Sequence, residues 1–251
     1  MRIIAVLNQK GGVGKTTLVV NLGAGLARRG QKAALVDLDP QAHLTTSLKA
    51  TPNGPELTTY ELLKGQATFQ QVLVPVGELM VAPSSLRLSG AELELASQPG
   101  REYLLKEALG DLSRFDLVFL DCPPNLGLLT VNALTACHEI LIPMQTEYLA
   151  LHSLSKLLDT VELVKKRLNP GLTVGGIIGN RFAKRKRLNR EVVEMIEERF
   201  GDQLFSTQIR DNISLAEAPS FGKDIFAYKP RSIGAEDFDS LCREFLERGG
   251  S

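Results

Sequence analysis

The segment Lys10-Gly11-Gly12-Val13-Gly14-Lys15-Thr16-Thr17 lies between an apolar run and a helical pattern. Glycines at this density let successive backbone N–H groups curl around a phosphate, and a following helix points the positive end of its dipole at it. In the P-loop pattern G-x-x-x-x-G-K-[ST], the lysine reaches the β- and γ-phosphates and the hydroxyl ligates Mg²⁺; here those residues are Lys15 and Thr16. The expected cradle is formed by Gly11, Gly12, Val13, Gly14, Lys15, Thr16 and Thr17. Glycine-rich turns also occur without ligands, and the placement of Gly14-Lys15-Thr16 after a buried strand is what argues for phosphate. The segment departs from the pattern twice: Gln9 stands where the first glycine belongs, and Lys10 is a second lysine.

Two acidic sites complete the chemistry. Leu35-Val36-Asp37-Leu38-Asp39-Pro40-Gln41 ends an apolar run in acids two apart, which period-2 geometry puts on one side. Leu117-Val118-Phe119-Leu120-Asp121-Cys122-Pro123-Pro124 ends another run in an acid. Carboxylates at strand ends beside a P-loop suit Mg²⁺ and the positioning of water. An acid there can instead cap the next helix; Pro123-Pro124 argues against that for Asp121.

These residues need a scaffold that brings strand ends together. Ile3–Leu7, Ala33–Val36, Leu117–Leu120, Ile140–Ile142 and Val174–Ile178 are apolar without polar alternation, as strands buried on both faces are. Amphipathic segments lie between them. Leu18, Leu22 and Leu26 mark a helix ended near Gly30, Leu154 to Leu168 one stopped by Asn169-Pro170-Gly171, Leu188 to Phe200 another, and Phe238 to Phe245 a last one. This alternation predicts an α/β fold, a single doubly wound and mostly parallel sheet with helices on both faces, spanning residues 1–251 as one domain. Residues 51–98, interrupted by Pro and Gly, read as a connection with short helices.

The 251 residues, 43% hydrophobic and 23% charged, suit a globular chain with a sizeable core. Twenty-nine basic residues balance twenty-nine acidic ones, so a nucleic-acid partner would have to be held by a local patch. Cys122, Cys137 and Cys242 form no CxxC pair and suit buried thiols in a reducing compartment. The short apolar start suits no signal peptide, and a cytoplasmic protein is expected.

The form K-G-G-x-G-K-[ST] resembles the deviant P-loop of the ParA/MinD superfamily. Thr130-Val131-Asn132-Ala133-Leu134, Pro143-Met144-Gln145-Thr146-Glu147-Tyr148 and Leu215-Ala216-Glu217-Ala218-Pro219-Ser220-Phe221-Gly222-Lys223 extend the likeness nearly end to end, and look like the short, Soj-like ParA branch. The resemblance implies a weak, partner-stimulated Mg-dependent ATPase that dimerises with ATP. It implies that Lys10 reaches the partner subunit's ATP, Asp39 orients the attacking water, Asp121 holds Mg²⁺ through water, and Asp37 supports the metal site. Asn180 matches a position that often contacts adenine. Ala42-His43 stand where Gly-Asn is usual, and Arg210 where many relatives have proline; His43 reads as a surface residue.

Arg181, Lys184, Arg185, Lys186, Arg187 and Arg190 put six basic residues in ten positions just before a helical pattern. A helix N-terminus disfavours cations, so helix stability does not place them there. On composition alone a solvated loop accounts for them equally well. With the resemblance they read as non-specific contacts to the DNA backbone, in a system that partitions DNA or other cargo with a ParB-like partner. A MinD-like membrane-associated positioning ATPase is the alternative, but it needs a basic amphipathic C-terminal helix, and residues 235–248 are net acidic. An electron carrier like the nitrogenase iron protein needs cysteines in glycine-rich ligand loops, and no cysteine here sits in one. A ligase that phosphorylates a carboxylate would share the loop, but the sequence marks no substrate pocket for it.

Overall fold

In the computed structural model, the described residues are 1–52, 57–145, 150–182 and 200–249, with backbone only for 150–153 and 181–182. The first half runs β1 (Arg2–Val6), α1 (Lys15–Ala27), β2 (Ala33–Asp37), α2 (His43–Ser47), α3 (Thr59–Leu63), α4 (Phe69–Val72), β3 (Val74–Val76), β4 (Leu79–Ala82), α5 (Leu88–Leu95) and α6 (Leu104–Leu109). Next come β5 (Leu117–Asp121), α7 (Leu128–Ala136), β6 (Glu139–Gln145), α8 (Ala150–Arg167) and β7 (Thr173–Phe182). After residue 199 follow β8 (Ile209–Arg210), α9 (Ile213–Glu217), α10 (Ile225–Tyr228) and α11 (Ile233–Gly249).

The strands form one eight-stranded sheet in the order β3-β4-β2-β5-β1-β6-β7-β8. All pairings are parallel except β3 with β4. Alternate residues of each central strand feed opposite faces. Ile3, Ala5, Val118 and Leu120 join the cluster under α5 to α8. Ile4, Val6, Leu117 and Phe119 join the cluster with Leu22 of α1 and Phe238 of α11. Burial on both faces is why these strands read as continuous apolar runs.

The β3–β4 hairpin departs from the expectation for residues 51–98, which do contain the short helices α3, α4 and α5 but also two strands. At three and four residues the strands are too short to show a period, and Pro75 masks the first. Proline is tolerated because β3 is an edge strand paired on one side only.

The C-terminal helix α11 buries Phe238, Leu241, Cys242 and Phe245. Phe245 lies 6.0 Å from the Phe119 ring and beneath the Arg2 guanidinium at 4.5 Å. All three cysteines are free and buried. Among the described residues, no helix is long and apolar enough to cross a membrane.

Candidate functional site

Sheet register assembles the site. β5 lies between β1 and β2, with Asp121 level with Val6 on one side and Asp37 on the other. The loop after β1, the turn after β2 and the end of β5 therefore meet at one edge of the sheet, where open α/β folds bind ligands.

The glycine-rich loop leaves β1 and enters α1 at Gly14, whose φ of 90° and ψ of 30° lie in the left-handed region. A Cβ there would also overlap Asn180 Nδ2, so a side chain at this position is strained and must displace that amide. The Asn180 side chain donates to the Val13 carbonyl at 2.6 Å, and Gln145 Nε2 donates to the Gly12 carbonyl at 3.0 Å. Asn8 braces the base of the loop, donating to the Pro143 carbonyl at 2.8 Å and accepting the Lys10 N–H at 3.0 Å. With its carbonyls held by side chains from β6 and β7, the loop is preformed.

Lys15 is buried and donates to the Asn8 carbonyl at 3.2 Å. Burial lowers its pKa, opposed by Asp121, Cys122 and Asp39 nearby. Thr16 Oγ1 donates to Asp121 Oδ2 at 2.7 Å. Burial drives the Asp121 carboxyl well above the usual carboxylate range, and neighbouring Asp37 adds to this, while Thr16 and Lys15 oppose it. Its other oxygen, Oδ1, is buried and has no hydrogen-bond partner among the described residues. Leaving such an atom unsatisfied is costly, and a hydrated cation would supply what it lacks. No group of three or more His, Cys, Asp or Glu arranged for a metal occurs among the described residues. A hydroxyl and a carboxylate side by side, Thr16 and Asp121, suit Mg²⁺, which takes oxygen ligands, keeps several waters and binds phosphate oxygens.

Asp37 is fully buried, and its pKa is pushed up to about 6 by that burial, despite hydrogen bonds from Thr45 and Asp39. Its Oδ1 accepts the Asp39 N–H at 3.1 Å, and its Oδ2 accepts the Thr45 N–H and hydroxyl at 2.9 and 2.6 Å. Both oxygens are occupied, so Asp37 stands behind the site. Asp39 Oδ1 accepts the Gln41 N–H at 2.9 Å, and Asp39 borders the main cavity.

That cavity, of about 440 Å³, is bounded by the loop, Lys15, Thr16, Asp39 and the segment before α10, including Pro219 and Lys223. His43, expected at the surface, is exposed yet also borders the cavity. A second cavity of about 230 Å³ shares Gly12, Gly14, Thr17 and Leu215 with the first and is closed by Asn180, Arg210 and Asn212. The Arg210 guanidinium is anchored on Asp237 of α11 at 2.5 Å. Lys10 is exposed and does not border the main cavity.

Of the expected site residues, Gly11 to Thr17, Asp37, Asp39, Asp121 and Asn180 come together. Lys184, Arg185, Lys186, Arg187 and Arg190 lie outside the described residues, as does the Arg181 side chain. Sequence reasoning missed Asn8, Thr45, Ser84 and Gln145. Gln145 stood in a quoted motif without a role, and Thr45 and Ser84 carry no local signal, because their partners are distant in sequence or held by register.

The family model described as AAA domain matches residues 1–174. The chain is 43% identical to the chromosome-partitioning ATPase Soj of Treponema pallidum, covering 99% of this chain and 98% of that protein. It is 44% identical to the sporulation initiation inhibitor protein Soj of Bacillus subtilis, with 99% of each chain covered. Among solved structures, cobyrinic acid a,c-diamide synthase from Mycobacterium smegmatis with bound ATP analog and magnesium superposes with a TM-score of 0.87 at 35% identity, covering 100% of this chain and 96% of that one.

Proposed function

Because the chain is a Soj-like member of the ParA/MinD superfamily of partitioning ATPases, we propose that it is an ATP-dependent dimerising switch that holds DNA non-specifically and partitions or positions DNA or other cargo. The observation that carries the ATPase part is Asp121, buried at the end of β5, with one oxygen on Thr16 and the other without a partner among the described residues.

The amides of Gly11 to Thr17 and the Lys15 ammonium hold the triphosphate in the larger cavity, and the base enters the smaller one beside Asn180. Thr16 and Asp121 hold magnesium, with Asp37 in support. When bound, the ion neutralises charge on the β- and γ-phosphate oxygens. Asp39 orients water for attack on the γ-phosphate. Lys10, exposed and not among the residues lining its own subunit's cavity, reaches the partner subunit's ATP, which ties hydrolysis to dimerisation. Residues 1–251 act as one ATPase domain, for which the single sheet is the support.

The basic residues of 181–190 supply the DNA contacts, and a ParB-like protein stimulates turnover, with an arginine as its natural contribution to transition-state charge. The protein then works in the cytoplasm on the nucleoid. The helix α11 is net acidic and turns Phe238, Leu241 and Phe245 into the core, which supports the DNA reading over the membrane-associated one.

The test is binding of the Asp39→Ala protein to arbitrary duplex DNA with ATP or ADP across a salt series. Binding should require ATP, weaken steeply with salt, and vanish when Arg185 and Arg187 are reversed in charge. ATP-driven dimers that bind no DNA at low salt would remove the DNA role and favour a membrane- or protein-directed switch.

A further inference from the structure

Asp39 lies outside every helix and strand, between the last residue of β2 and the start of α2. An acid in such a turn would ordinarily swing with its backbone, yet both backbone polar groups of Asp39 are held by side chains. Its N–H donates to Asp37 Oδ1 at 3.1 Å, and its carbonyl accepts the Ser84 hydroxyl at 2.9 Å. The circuit closes through Thr45, whose hydroxyl donates to Asp37 Oδ2 at 2.6 Å and accepts the Ser84 N–H at 2.8 Å. Asp37, Asp39 and Ser84 are buried and Thr45 half-buried, so water does not compete freely for these bonds. The Asp39 carbonyl also accepts the Ala42 N–H at 2.8 Å, where the chain turns through a left-handed alanine with φ of 53°.

We propose that Thr45 and Ser84 are positioning residues for ATP hydrolysis, closing with Asp37 a hydrogen-bonded ring that fixes the backbone of Asp39. The inference rests on the reading of Asp39 as the residue that orients water. Three segments are locked in one ring: the end of β2, the start of α2 and the residue two beyond β4. The β3–β4 hairpin at the sheet edge thereby acquires a task at the site, because parallel pairing of β4 with β2 brings Ser84 level with the turn. Asp37 contributes as an acceptor of three hydrogen bonds, which accounts for a buried acid behind the phosphate site.

Opening the ring leaves the nucleotide cradle intact, since neither Thr45 nor Ser84 borders the main cavity. Misplacing a catalytic group by about 1 Å costs up to about 10²-fold in rate. In single-turnover hydrolysis by the full chain, Ser84→Ala and Thr45→Val should each slow the step about tenfold. The KM for ATP and the affinity for a fluorescent ADP analogue should stay within about twofold. Thr45→Ser, which keeps the hydroxyl, should restore the rate. The double variant should be no slower than the worse single one, because both break the same ring.

A Ser84→Ala protein hydrolysing at the wild-type rate overturns the proposal. So does failure of Thr45→Ser to restore turnover, or a parallel loss of nucleotide affinity, either of which makes these residues merely structural. If Ser84→Ala does not fold, Thr45→Val and Thr45→Ser decide the matter from the other side of the ring. Asp39→Ala separates the two readings: a wild-type rate there removes the role of Asp39 itself, whereas a stalled Asp39→Ala beside an unimpaired Ser84→Ala removes only the ring.

Discussion

Replacing Gly14 with alanine tests the phosphate cradle at its tightest point. The residue has φ of 90°, in the left-handed region, where a side chain costs about 1–2 kcal/mol. The added Cβ would also overlap Asn180 Nδ2, forcing that amide off the Val13 carbonyl. Losing a buried hydrogen bond and leaving its acceptor unsatisfied costs about 1–3 kcal/mol. Together the native loop is disfavoured by about 2–5 kcal/mol, and nucleotide affinity falls by the fraction of molecules that still hold it. Binding of a fluorescent ADP analogue with Mg²⁺ should weaken at least about thirtyfold, with the circular dichroism of the fold unchanged. In an Asn180→Ala background the overlap disappears, and Gly14→Ala should cost only the backbone part, about 5- to 30-fold. Wild-type affinity for the single variant would refute the cradle. An equal loss in both backgrounds would refute the role assigned to the contact with Asn180.

Two further outcomes follow from burial. The Asp37 pKa is raised from the ordinary 3.8 to about 6, so between these values the folded nucleotide-free protein keeps a proton that the unfolded chain has released. The resulting stability is complete below about pH 4 and lost as pH rises through about 6, at most about 3 kcal/mol. Asp121, raised by the same burial, acts in the same direction. Urea unfolding at pH 4.5, 6 and 7.5 should therefore show a slope that Asp37→Asn flattens, and identical slopes would contradict it. Phe245→Ala should cost about 3–5 kcal/mol in the same assay, since the ring is buried between Phe119 and Arg2. A loss under about 1 kcal/mol would mean that α11 is not part of the core and would reopen the membrane reading.

What the sequence determined by itself was the chemistry that depends on local spacing. Lys15 and Thr16 follow Gly14 directly, and Asp121 closes an apolar run, so composition and short-range pattern place them on a strand–loop–helix unit and a strand end. The long central strands were legible because burial on both faces leaves them apolar throughout. The β3–β4 hairpin was not legible: strands of three and four residues around Pro75 carry no period, and only pairing with β2 makes them a sheet edge. Nor could spacing tell which carboxylates meet. Asp37 and Asp39 share a side of one segment, yet tertiary structure gives them different tasks. Asp37 turns inward, where Thr45 and Asp39 occupy both its oxygens, while Asp39 faces the cavity. Asn8, Gln145, Asn180 and Ser84 brace the loop and the turn through partners 45 to 167 residues away. Such contacts are set by strand order and register, which decide the neighbours of a polar side chain after the apolar pattern has chosen the fold.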